Sequence, residues 1–230
     1  MVKALVIVAH PDDETIWCGG TILSHPKWDW TILSLCRRDD ADRAPKFAKV
    51  CAKLHAKCAM SDLEDEHPEQ RLASLEEVKT RIRALLLQED ASNSFDFLFT
   101  HGENGEYGHN RHKETHSAVC EMLASGELGG EKVLFFSYRR VKGGAYCIAE
   151  RAAHSFDSIA AQRSRKKTRG KQRGRAASAR GALVNARLSA RVARAKCLLI
   201  TSLYQFSKES FEARSARAIE GFRVKAQCDR

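Results

Sequence analysis

Four of the nine histidines fall within 17 residues, between Thr100 and His116. His109 and His112 are three apart, and His112 and His116 four apart, so on a helix each pair shares a face. A second concentration of reactive side chains lies near the N-terminus, where an apolar run ends in His10-Pro11-Asp12-Asp13-Glu14. One imidazole and three acids at the end of a buried strand gather negative charge, which is costly without a partner. A divalent cation is one resolution, because imidazole nitrogen and carboxylate oxygen are ordinary zinc ligands. The other is a solvated turn that caps the next helix, with the acids favoured by its dipole. One ligand from the later histidines would complete a three-ligand site with His10 and an acid. Three protein ligands with an open position is the arrangement of hydrolytic zinc. A solvated helix start with incidental histidines is the alternative for that stretch.

The elements around these clusters alternate between strand and helix. Residues 4–9 form a continuous apolar run rich in β-branched side chains, which reads as a strand buried on both faces. A helix is expected over 15–23, weakened by Gly19-Gly20 unless close packing requires them. Further strands are expected over 30–36, 57–60, 95–100 and 133–138. Helices are expected over 42–56 (Phe47, Val50, Cys51 and Leu54 on one face), 72–87 and about 110–124. This order predicts an α/β fold: a Rossmann-like, mostly parallel sheet flanked by helices. In such sheets reactive groups gather at the carboxyl ends of the strands, where both polar clusters fall.

At this point the residues resemble a known family. Ala9-His10-Pro11-Asp12-Asp13-Glu14 after an opening strand is similar to the signature of the LmbE-like, or PIG-L-type, deacetylases. Tyr107-Gly108-His109-x-x-His112 resembles that family's second motif. The likeness covers about residues 2–138, with a weaker echo over 196–205. It implies a Rossmann-like fold and removal of an N-acetyl group from an N-acetylglucosamine-type sugar or conjugate. It implies zinc held by His10, Asp13 and His112, with Asp12 as general base. His109 would act as acid or steady the oxyanion, and Tyr107 would approach the reacting carbonyl. Trimers or hexamers are frequent in the family. Two departures stand out: Asn110-Arg111 replaces the usual Pro-Asp, which removes a carboxylate able to orient a ligand. Lys46 stands where a Glu often follows Arg43 by three residues. Arg43 and Arg111 are accordingly expected to contact substrate. Sites of the His2Asp type also accept iron, cobalt and manganese.

Composition bounds the rest. The 230 residues suffice for a single domain, whose core with both motifs is expected over 1–138. No C-x-x-C pair occurs among the eight cysteines, so reduced thiols are expected. No apolar run has the length of a membrane span, and the N-terminus lacks signal-peptide features, so a cytoplasmic location is expected. The net charge of +10 is local, because residues 151–196 hold 14 Lys/Arg and one acid. Residues 151–195 are expected as a flexible basic insertion, with its least structured part over 162–180, and 196–230 as C-terminal helices, the last over 209–222. The basic segment opens a second reading: a non-catalytic metal-containing protein that binds nucleic acid or another polyanion.

Overall fold

The computed structural model describes residues 1–89, 93–166 and 181–225. Its elements in chain order are β1 Lys3–Val8, α1 Asp13–Ser24, β2 Asp29–Cys36, α2 Arg43–Leu54, β3 Lys57–Leu63, α3 Leu75–Gln88, β4 Ser94–Thr100, the short α4 Gly105–Gly108 and α5 Asn110–Ser125. There follow β5 Gly129–Phe136, β6 Tyr138–Arg140, β7 Cys147–Ala149, β8 His154–Ser155, α6 Phe156–Lys166, β9 Leu183–Arg187, α7 Ala190–Leu198, a π-helical turn Leu199–Leu203, α8 Phe211–Ser215 and β10 Ile219–Lys225. Among the described residues the main sheet has the order β3-β2-β1-β4-β5-β10-β9-β8. Strands β1 to β5 are mutually parallel, and β10 joins β5 antiparallel. The expected α/β class is therefore the observed one.

The sheet is covered on both faces, which explains the continuous apolar character of its strands. Ala4, Val6 and Val8 of β1 pack with Trp17, Phe47 and Ile200 on one side, whereas Leu5 and Ile7 pack with Ile82, Val119 and Met122 on the other. The chain runs β1, β2, β3 outward in one direction and then crosses to β4 on the other flank of β1. The crevice beyond the carboxyl ends of β1 and β4 is thus a topological switch point, the usual ligand site of such sheets.

The C-terminal third departs from expectation. The segment expected as a final helix over 209–222 contains only the five-residue α8, and β10 then enters the sheet between β5 and β9. Phe222 and Val224 alternate onto the core while Arg223 points out. Short apolar runs of this kind carry helix and strand periodicity about equally. The window 151–195, expected as a flexible insertion, carries β8, α6, β9 and the start of α7. Residues 167–180, the centre of the expected loop, lie outside the described residues. No helix among the described residues is long and apolar enough to cross a membrane. The seven described cysteines are free thiols.

One buried ion pair ties this third to α1. Lys196 and Glu220 are fully buried, and Lys196 Nζ donates to Glu220 Oε1 (2.7 Å) and to the Ile16 carbonyl (2.8 Å). Glu220 also accepts from the amides of Gly20 and Thr21 and from the Thr21 hydroxyl. A Cβ on Gly20 would lie 2.9 Å from the Glu220 carboxylate and closer still to Leu188, so close packing does account for this glycine. Removing one member of such a pair leaves the other charge buried and unpaired. Glu220→Ala is therefore expected to cost about 3–5 kcal/mol of unfolding free energy in urea titrations. A loss within the ~0.5 kcal/mol of an ordinary surface substitution would contradict this assignment.

Candidate active site

Strand β1 delivers His10 into a turn whose backbone is strained. Asp12 adopts φ 116°, ψ −30°, a region that L-residues occupy at a cost of about 1–3 kcal/mol. Glu14 holds this geometry, because its Oε2 accepts the Asp12 amide at 3.0 Å. Its Oε1 accepts the hydroxyls of Thr15 (2.5 Å) and Tyr204 (2.9 Å). Burial pushes Glu14 up to about 7 against these hydrogen bonds.

Three atoms converge beside this turn. His10 Nδ1, Asp13 Oδ2 and His112 Nε2 are each 3.2 Å from the other two. Bonds of about 2.0–2.1 Å in tetrahedral geometry place ligand atoms roughly 3.3–3.4 Å apart, so the triangle fits a zinc-sized ion. Each imidazole is oriented from behind by a carboxylate: His10 Nε2 donates to Asp65 Oδ1 (3.0 Å) and His112 Nδ1 to Glu106 Oε2 (2.6 Å). This outer shell fixes tautomers and aims the remaining lone pairs inward. Asp13 Oδ1 accepts from the Trp17 indole (2.8 Å), so Oδ2 is the oxygen presented. Burial disfavours charge on His112, yet Asp13 and Glu106 outweigh it and raise it to about 10. Burial likewise opposes the Asp13 carboxylate, but His112, His10 and His101 hold it well below the usual range. The electrostatics thus favour a positive charge inside the triangle.

Neighbouring groupings are less suited. Asp13, His101 and His112 also cluster, but His101 Nε2 accepts the Ala9 amide (2.9 Å) and Nδ1 donates to Glu106 (2.8 Å). Both of its ring nitrogens are therefore engaged. His109 stands beside His10 and His112, its ring centroid 4.7 and 4.8 Å from theirs. Its Nδ1 accepts the Arg111 amide as the N-cap of α5 (3.2 Å), which leaves the proton on Nε2. Burial and the neighbouring His10 and His112 push His109 down to about 3, so it is a neutral donor rather than an imidazolium.

An open cleft of about 160 Å³ leads to the triangle, lined among others by Asp12, Arg37, Arg43, Tyr107, His109 and Phe211. Asp12 is held well above the usual carboxylate range by burial and by Asp13, against the opposing Arg43. Arg43 Nη1 lies 2.5 Å from Asp12 Oδ2, and its guanidinium sits 4.6 Å over the Phe206 ring. Burial keeps the Tyr107 hydroxyl protonated far beyond neutral pH, and its ring packs edge-on to His112 and Phe211.

Arg111 corrects the sequence-based expectation. It is fully buried away from the cleft, and its guanidinium donates to the Glu64 carbonyl and carboxylate, the Gln70 carbonyl and Glu114. Four of its five N–H donors are used in this way, and the residue does not line the cleft. Asn110 donates to the carbonyls of Pro68 (3.2 Å) and Glu69 (2.9 Å). The pair that replaces the family's Pro-Asp therefore clamps the 64–70 loop. That loop supplies Asp65, a carboxylate that orients His10. Asp65, Glu106, His101 and Glu14 were missed as site residues. Glu106 and His101 lie inside the histidine-rich stretch, but nothing in local spacing marks Asp65.

The family profile described as PIG-L, GlcNAc-PI de-N-acetylase, matches residues 5–123. The chain belongs to the PIG-L family. An uncharacterised protein of Acanthamoeba polyphaga mimivirus is 27% identical over 123 residues, 47% of this chain and 52% of that protein. The matched stretch thus spans about half the length of this curated relative. Among solved structures, a deacetylase of teicoplanin biosynthesis in complex with teicoplanin superposes with TM-score 0.62 at 12% identity, over 99% of this chain and 100% of that one. The N,N'-diacetylchitobiose deacetylase of Pyrococcus horikoshii gives 0.59 at 17% identity, over 97% and 84%. At these identities the likeness is one of fold, and it extends beyond the PIG-L match into the C-terminal third.

Glu106 provides a test of the outer shell. Burial opposes its charge, but His101 and His112 outweigh this and lower it from 4.5 to about 2. A depressed carboxylate stabilises the fold fully above its ordinary value and loses that contribution as pH falls through the folded value. In metal-free protein, the stability gap between wild type and Glu106→Gln should be constant above about pH 5 and shrink toward pH 2. A gap independent of pH over that range would refute the ionised state of Glu106.

Proposed function

We propose that this chain is a zinc-dependent hydrolase that removes an N-acetyl group from an N-acetylglucosamine-type sugar or conjugate. The observation that carries this reading is the His10–Asp13–His112 triangle with the Asp12 carboxylate beside it, facing one cleft. When bound there, zinc would supply Lewis acidity to the acetyl carbonyl and lower the pKa of a water toward about 7. The remaining chemistry belongs to the chain.

Asp12 accepts a proton from the water that attacks the amide carbonyl. Its raised proton affinity suits a base, and Arg43 keeps its carboxylate directed into the cleft. The charge that develops on the carbonyl oxygen needs donors already in place. The Tyr107 hydroxyl and the neutral His109 Nε2–H line the cleft as those donors. Collapse of the tetrahedral species breaks the C–N bond, and the proton held by Asp12 passes to the departing amine. Acetic acid and the free amine result, and the acid's proton then passes to the amine to give acetate and the ammonium form of the amino sugar. Arg43 is the remaining group expected to meet substrate at the mouth.

The teicoplanin-pathway neighbour is by name a deacetylase, the Pyrococcus horikoshii neighbour is by name an N,N'-diacetylchitobiose deacetylase, and the PIG-L description names a GlcNAc-PI de-N-acetylase, which supports this reading. Asn110 and Arg111 hold the 64–70 loop, so their departure from the family's Pro-Asp does not count against turnover.

Asp12→Asn should lower acetate release from N-acetylglucosamine or diacetylchitobiose by about 10²–10⁴-fold with metal content unchanged. Near-normal turnover would rule out Asp12 as the base. His112→Ala should lose both bound metal and activity, as should chelator treatment of the wild type. Chelated protein that regains acetate release with zinc supports the assignment; metal-loaded protein inert on every N-acetyl sugar would refute it.

A further inference from the structure

Part of the cleft that leads to the triangle is built by residues outside the PIG-L match. Phe211 and Glu212, the first two residues of α8, line it together with Arg37 and Arg43. Neither Phe211 nor Glu212 has a part in the reaction proposed above.

Helix α8 is short but anchored at both ends. The Ser210 hydroxyl accepts the Ala213 amide (3.1 Å), and the buried Ser215 hydroxyl accepts the Cys147 amide of β7 (2.9 Å). The Phe211 ring packs edge-on to Tyr107, with centroids 4.9 Å apart. Glu212 is half-buried, and after burial, Asp13, Asp12 and Glu106 it helps to hold the Tyr107 hydroxyl protonated. The pair therefore stands beside the tyrosine assigned to the reacting carbonyl.

The other charges of the cleft are matched. Asp13 belongs to the triangle, Asp65 is paired with Arg37 (2.8 Å), and Asp12 with Arg43 (2.5 Å). Arg140 lies 5.9 Å over the Phe211 ring, but its Nε donates to the Gly144 carbonyl (3.0 Å) and it does not line the cleft. Among the described residues, no side chain pairs with the Glu212 carboxylate. An ionised carboxylate accepts hydrogen bonds and donates none. It bonds hydroxyls more strongly than a neutral acceptor does, and it repels a phosphate. A pyranose has an apolar C–H face and a rim of hydroxyls, which suits an aromatic ring with such an acceptor next to it.

We propose that Glu212, with Phe211, determines the specificity of the cleft and selects an uncharged N-acetyl sugar over one that carries a phosphate. That role rests on the deacetylase reading above for the sugar's place in the cleft. Phe211 supports the C–H face, and Glu212 accepts hydroxyl protons. Arg37 and Arg43 do not offset its repulsion of an anion, because their charges are already matched.

N-acetylglucosamine and its 1-phosphate and 6-phosphate, offered to zinc-loaded full-length protein, provide the test. Glu212→Gln keeps the shape and removes the charge. The ratio of kcat/KM for the phosphate ester to that for the neutral sugar should rise about tenfold for at least one ester, chiefly through KM. Glu212→Asp keeps the charge and should keep the ratio near the wild-type value, whereas a merely structural role would move all three sugars alike. Phe211→Ala should raise KM for all three. Calorimetric binding to zinc-loaded Asp12→Asn protein, with and without Glu212→Gln, reads the same ratio without turnover. A shifted binding ratio in a protein whose wild type releases no acetate would overturn the deacetylase reading and leave the selection by Glu212 standing. Acetate release with an unshifted ratio for both esters would overturn the selection by Glu212. Binding of none of the three sugars would overturn both.

Discussion

Three consecutive buried carboxylates, Asp12, Asp13 and Glu14, impose the constraint that the rest of this molecule answers. At the end of a buried strand they cannot all be ionised unless each is compensated. The structure treats each differently. Asp13 faces His10 and His112 and is held ionised; Asp12 is buried beside Arg43 and retains a high proton affinity; Glu14 is pushed up to about 7 within hydrogen bonds from Thr15, Tyr204 and the Asp12 amide. Adjacent acids with divergent environments are how one motif can supply both a ligand and a base.

The compensation comes from distant parts of the chain. Glu106 and Asp65 orient the two imidazoles, and Asp65 itself depends on Arg37 and on the loop that Arg111 and Asn110 hold. Burial opposes charge on Asp65, but hydrogen bonds from His10 and Arg37 lower it to about 2. Tyr204 reaches Glu14 from the residue after the π-helical turn, and such turns recur at functional sites. The segment beyond the PIG-L match is thus part of the site's support. Its Lys196–Glu220 pair fixes β10 against α1, the helix that begins at Asp13.

Much of the architecture was legible in the chain. Residues 4–9, 30–36 and 95–100 have the apolar content that a doubly covered parallel strand requires, and helices α2, α3 and α5 carry clear amphipathic spacing. The end of the chain was not legible in the same way. Residues 209–222 carry apolar side chains at spacings that fit a helix, yet β10 forms because β5 offers an unpaired edge and its own Phe222 meets the aromatic core. Only partners remote in sequence supply that edge.

The residues that converge at the cleft, by contrast, were legible in local sequence. His10, Asp12 and Asp13 follow directly from a strand end, and Tyr107, His109 and His112 from one helix start. Their chemical types alone restrict what they can bind. What tertiary structure decided is which groups stand behind them. It set Asp65 rather than a motif carboxylate behind His10, kept His109 neutral through burial beside His10 and His112, and placed Arg111 against the 64–70 loop rather than in the cleft. Each outcome depends on burial and on contacts between residues tens of positions apart, and a linear pattern carries no record of either.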